Sequence, residues 1–197
     1  MNQKEEMRVK LVEEIDGYFM QLVYLKDVMS VEEDISDNKE KLKLAPNFTL
    51  IVECALVDSY MLTFMKLYDK SKKTKTIPNL IKKCIANIHL FPSQDDILLK
   101  LREFEAKINE DEYIAHAIKT LTYRRDSVYV HNDNKYFGNK IQNDNSYLKM
   151  YHLWILAIFT EEVLIYLFSQ LTSDKSRQTK YNNDLGKLFE NSSIRSN

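Results

Sequence analysis

The chain has 197 residues and a mass of 23.4 kDa, enough for one domain with a sizeable core and too little for two of ordinary size. Three glycines and three prolines, where average usage would give about fourteen and about ten, leave too few turn residues for a many-stranded sandwich or barrel. They also leave no glycine cluster for a Rossmann or P-loop phosphate site, so the simplest remaining solution is all-α, an up-and-down bundle of five or six long helices. With 28 basic against 29 acidic side chains and a pI near 6.4, any contact with nucleic acid has to come from a local patch.

In chain order, Leu11, Ile15, Phe19, Leu22 and Leu25 lie on one stripe of a helix expected from about Lys4 to Met29. A charge-dense stretch, Asp34 to Leu44, leads to Pro46, and Asn47 is placed to cap a helix from Phe48 to Asp69. That helix is apolar on most sides (Leu50, Ile51, Cys54, Ala55, Val57, Leu62), which predicts a place at the centre of the bundle. After a lysine-rich connector, Pro78 sits near the first turn of a short helix ending around Phe91. Ser93 can cap the next helix, through Asn109, and another starts near Asp111 and runs into Tyr123-Arg124-Arg125-Asp126. Residues His131 to Ser146 hold five asparagines and read as a polar loop before a long apolar helix from Tyr147 to Leu171. The tail after Ser173 is polar, with a short helix expected near Asp184 to Glu190.

Two segments carry a resemblance. In the first, Thr122 to Phe137, an arginine is followed at once by an aspartate and six positions later by a histidine. This resembles the signature of the HEPN superfamily, with Arg125, Asp126 and His131 in its three places. The second, VDSYMLTFMKLYDKSKKTKTIP from Val57 to Pro78, looks like the helix and basic turn of the AbiU-like abortive-infection branch. The resemblance covers roughly residues 5 to 170. It implies a HEPN-like helical domain over residues 1–172, followed by a polar tail over 173–197, and pairing of two copies as a C2 homodimer. It further implies a metal-independent endoribonuclease of a phage-defence or toxin setting, with RNA as substrate and no cofactor; a toxin silenced by a cognate antitoxin is a further option compatible with it. A HEPN-like module that binds a nucleotide or protein without catalysis is the alternative.

The residue types suit that chemistry. A guanidinium keeps its charge and offers a planar fork of donors to a phosphate that gathers negative charge during cleavage. An imidazole exchanges protons near neutrality, and Asp126 can hold either group by a charge-assisted hydrogen bond. The ribose 2′-hydroxyl is an internal nucleophile, so the protein need supply only positioning, proton transfer and charge stabilisation, leaving a cyclic phosphate and sparing DNA. On a regular helix, six residues place Arg125 and His131 about 120° apart. Either the helix changes course between them, or two copies pool their residues at a composite cleft, joined through faces around Tyr123, Tyr129 and Tyr151. From spacing alone a helix-end ion pair of Arg125 with a nearby carboxylate, with His131 at the helix C-terminus, is the better reading; the resemblance reverses the preference.

Around this triplet, Arg124, Asn132, Lys72 and Lys73 are the candidate RNA-binding residues. Asn132, Asp133 and Tyr136 are otherwise hydrophilic loop. Lys70, Lys72, Lys73, Lys75, Lys82 and Lys83 form the densest basic run, equally a solvated turn unless the fold brings it beside Arg124 and Arg125. His152 reads as a buried core histidine, and His89 and His116 have no evident partner. Glu161 and Glu162 lack the companion histidine of a di-metal bundle, and no group has metal-ligand spacing. Cys54 and Cys84 form no CxxC and read as packing residues in a reducing compartment. The charged N-terminus carries no apolar leader, and the stretch Leu153 to Phe168, broken by Thr160, Glu161 and Glu162, falls short of a membrane span, which leaves a cytoplasmic protein without membrane contact as the expectation.

Overall fold

The structure, a computed structural model, describes residues 2–69, 71, 73–126 and 148–172. Six α-helices account for most of them, with no strand among the described residues: α1 (Gln3–Asp37), α2 (Pro46–Leu67), α3 (Ile77–Ala86), α4 (Gln94–Glu110), α5 (Glu112–Arg124) and α6 (Met150–Thr172). The all-α bundle expected from composition is therefore present. The expected polar loop after His131 and the tail helix lie outside the described residues.

Local chemistry explains most boundaries. The Asn2 side chain accepts from the Lys4 N–H to open α1, with Glu5 and Glu6 favourably placed in its first turn. The helix runs past Met29 to Asp37, because Met29 and Ile35 extend the buried stripe of Leu11, Ile15, Phe19, Leu22 and Leu25 through the charged segment. Helix α2 opens on Pro46 at its first turn, with no side-chain cap, so Asn47 lies inside the helix rather than capping it. Thr76 accepts from the Asn79 N–H at the start of α3, and Asp111 accepts from the N–H groups of Tyr113 and Ile114 at the start of α5. Ser93 precedes α4 without a side-chain hydrogen bond.

Helices α1, α2, α5 and α6 pack in a closed ring, α1 on α2 and α6, α5 on α6 and α2, while α4 joins through α5 and carries α3. The centre is α6, not α2. Phe168 meets Phe19 of α1, Phe159 meets Phe104 of α4, and Thr160 and Tyr68 share a buried 2.7 Å hydrogen bond. Glu161, which breaks the apolar run of α6, pairs with the buried Lys26 of α1, and Arg8 of α1 donates through Nε to the Leu171 carbonyl at the far end of α6. Helix α2 is equally apolar but uses only its C-terminal half, Tyr60, Met61, Phe64, Met65 and Leu67, as core. Its first half leaves Phe48, Leu50, Ile51 and Cys54 exposed, because α1 covers one side and nothing among the described residues covers the other. By length and composition alone α2 and α6 are both apolar enough to cross a membrane, so the interrupted run of α6 does not fall short as expected; 56% of its most apolar window is buried in the fold, against 22% for α2.

Candidate active site

Helix α5 carries the decisive segment. Its buried stripe, Ile114, Ala117, Ile118 and Leu121, fixes it against α6, α4 and α2, and so fixes what its C-terminal end presents. At Arg125 and Asp126 the helix widens into a π turn, with the Arg125 N–H shared between the carbonyls of Leu121 and Thr122. The departure from regular geometry thus begins at Arg125 itself.

The Arg125 side chain is held on three sides. It lines a small depression together with Met65, Tyr68, Leu121 and Thr122. Its Nε–H donates to Asp126 Oδ1 at 2.8 Å, and Nη1 donates to Asp69 Oδ1, just beyond the end of α2. Asp126, and then Asp69, push the guanidinium above its ordinary pKa, so it is a permanent cation. Among the described residues Nη2 makes no hydrogen bond, and the side chain as a whole is 29% exposed. The ion pair of Arg125 with a nearby carboxylate, expected from spacing alone, is thus present twice over.

Asp69 escaped sequence reasoning. It lies 56 residues from Arg125, and no spacing rule joins them. The available signal is its place within the Val57–Pro78 segment, where the helix gives way to the basic turn. Arg124 is half-buried beside Arg125, and its Nε has no hydrogen-bond partner among the described residues. Lys73 is exposed on the basic turn and its side chain is not brought to Arg125 by any described contact. His131, Asn132, Lys72, Asp133, Tyr129 and Tyr136 lie outside the described residues.

Beyond Asp69 the surface opens into a cleft of about 420 Å³ between α3, α4 and α5, into which Lys82 and Lys119 also face. The remaining lysine next to it in sequence, Lys83, is occupied by Glu14 of α1. No group of His, Cys, Asp and Glu with metal-binding geometry occurs among the described residues.

At the opposite end of α5, His116 and His152 meet at a tilt with ring centroids 5.3 Å apart, and His152 Nδ1 accepts from the Lys149 N–H at 3.3 Å. His152 is buried, as its apolar setting predicts. Burial first, then His116 and Lys149, lower its pKa below the ordinary 6.5. As pH falls through about 6.5 the unfolded chain binds this proton before the folded chain does, so the fold loses stability on acidification and gains nothing from the group above that pH. Two-dimensional NMR should show the His152 ring titrating below 6.5, and His116→Gln should move it upward; a midpoint at or above 6.5 would contradict the packing described.

A family model described as AbiU2, of the HEPN group, matches residues 10–190. This chain belongs to the HEPN AbiU2 family. The match spans α1 to α6 and includes Asp69, Arg125, Asp126 and the position of His131, so the candidate site lies inside an AbiU2 domain rather than beside it. No curated protein and no solved structure matches the chain. An abortive-infection, HEPN-type module is the functional class that membership supports.

Proposed function

We propose that this AbiU2 domain is a metal-independent endoribonuclease of the phage-defence type, cleaving RNA through the ribose 2′-hydroxyl. The observation that carries the reading is the Arg125 guanidinium, a permanent cation held by Asp69 and Asp126 and still 29% exposed. In the proposed step His131 takes the proton of the 2′-hydroxyl, and the oxygen attacks phosphorus. The bond to the 5′-oxygen breaks, that oxygen is reprotonated, and a 2′,3′-cyclic phosphate remains. Arg125 carries the charge that gathers on the phosphoryl oxygens, and Asp126 and Asp69 orient it. Two copies form a C2 dimer and share the cleft, so that one histidine accepts a proton while its counterpart donates. Tyr123 and Tyr151, 39% and 45% exposed, are available to such a pairing. The setting is cytoplasmic, and a cognate antitoxin silences the enzyme.

The test is incubation of the purified chain with mixed RNA in EDTA, beside His131→Ala and a DNA control. Wild type should cleave RNA to cyclic phosphate ends and leave DNA intact, while His131→Ala falls by about 10²- to 10⁴-fold. Undiminished cleavage by His131→Ala would remove the histidine from the mechanism. A second reading, a non-catalytic module that holds a nucleotide or protein, is favoured by the two carboxylates already on Arg125, and wild type inert toward RNA would establish it.

A further inference from the structure

The cleft beside Asp69 has features that the cleavage step does not use. Its volume, about 420 Å³, is within the range of roughly 300–1,000 Å³ typical of small-molecule sites. One part of its lining is aliphatic, from Pro78, Ile108, Ala115 and Ile118, a surface on which the flat face of a nucleobase can rest. The other part is cationic: Lys82 and Lys119 carry no ion pair among the described residues, whereas Lys83, Lys100 and Lys107 are each paired with a glutamate. Asn79 and Asn109, also in the lining, spend their amide N–H groups on backbone carbonyls, which leaves their side-chain oxygens to accept from a base.

The cleft is continuous with the Arg125 site. Tyr68 lines both, and Asp69 lines the cleft while holding Arg125. Lys119 precedes Arg125 by six residues, roughly 9 Å along α5, a rise comparable with the spacing of neighbouring nucleotides, and Ile118 of the cleft lies one turn before Thr122 of the Arg125 depression. We propose that this cleft is an RNA subsite, taking the nucleotide next to the scissile phosphate with its base on the aliphatic floor and its backbone phosphate between Lys82 and Lys119. The proposal rests on the reading of Arg125 as the group at the scissile phosphate, and it adds Lys82, Lys119 and Ala115 as substrate-binding residues.

The test uses the full chain carrying His131→Ala, so that binding is read without cleavage, and a fluorescently labelled single-stranded RNA followed by polarisation over a range of salt. Lys82→Gln and Lys119→Gln should each weaken binding about tenfold and reduce the slope of log K against log salt by about 0.7. Ala115→Phe, which fills the cleft without changing charge, should weaken binding with the slope unchanged. Lys100→Gln, eight residues before Ile108 on the same helix and paired with Glu103, should do neither. Circular dichroism confirms the fold of each variant.

Equal affinity of wild type and both lysine variants for RNA would overturn the subsite, as would an equal loss in Lys100→Gln or no RNA binding at all. Adenosine monophosphate binding as tightly as the RNA would overturn it in favour of a free-nucleotide site. Lysine-dependent RNA binding by a chain whose wild type does not cleave would refute the nuclease and keep the subsite; cleavage without lysine dependence would do the reverse.

Discussion

Arg125→Ala should lower RNA cleavage by about 10²- to 10³-fold, the usual cost of removing one preorganised donor from a developing negative charge. Arg125→Lys should recover little of it. An ammonium is a point charge, and it cannot donate to Asp126 and Asp69 while still presenting a fork to a phosphate. Asp69→Asn is the more informative change. The amide keeps an acceptor for Nη1 but loses the charge, so orientation weakens and kcat should fall about tenfold. The same change removes an anion from the edge of the cleft, so KM should fall as well. Steady-state kinetics on a defined RNA separates these effects, and an unchanged kcat would show that Asp69 does not position Arg125.

Phe104→Ala should have the largest effect on stability, about 3–5 kcal/mol, read as a midpoint shift in urea. Phe104 is fully buried, meets Phe159 and Tyr166 of α6 edge-on at centroid distances of 6.0 and 5.7 Å, and lies under the Lys100 ammonium at 4.9 Å. It is the main plug between α4 and the central helix, so its loss opens a cavity that rigid neighbours on both helices cannot close. Leu99→Ala, on the same helix but 74% exposed, should change stability by no more than about 0.5 kcal/mol. Similar losses in the two variants would mean that α4 is not seated on α6 as described.

Elements with a local cause were legible in the sequence. The stripe Leu11 to Leu25, Asp111 before α5 and Pro78 in the first turn of α3 each announce themselves within a few residues. What failed was any inference needing the identity of neighbours. Helices α2 and α6 have the same hydropathy over their most apolar windows, and nothing in either states that α6 receives side chains from α1, α4, α5 and the end of α2 while the first half of α2 stays exposed. The candidate site divides in the same way. Arg125 and Asp126 are adjacent and stand out, whereas Asp69 follows the end of α2, and Lys82 and Lys119 come from two different helices, so only the packing of α2, α3 and α5 makes them neighbours. Lys82 lay within the basic run, but the run could not show that Lys83, the next residue, turns away to Glu14.

The two cysteines differ in a way that serves spectroscopy. Cys84 is fully buried in α3, and burial pushes its thiol up to about 12, which keeps it in the unreactive thiol form near neutral pH. Cys54 is exposed on the uncovered half of α2. A maleimide dye or nitroxide therefore attaches at one defined place on the native chain without any engineered residue. Its signal reports whatever comes to rest on that apolar surface, independently of events at Arg125.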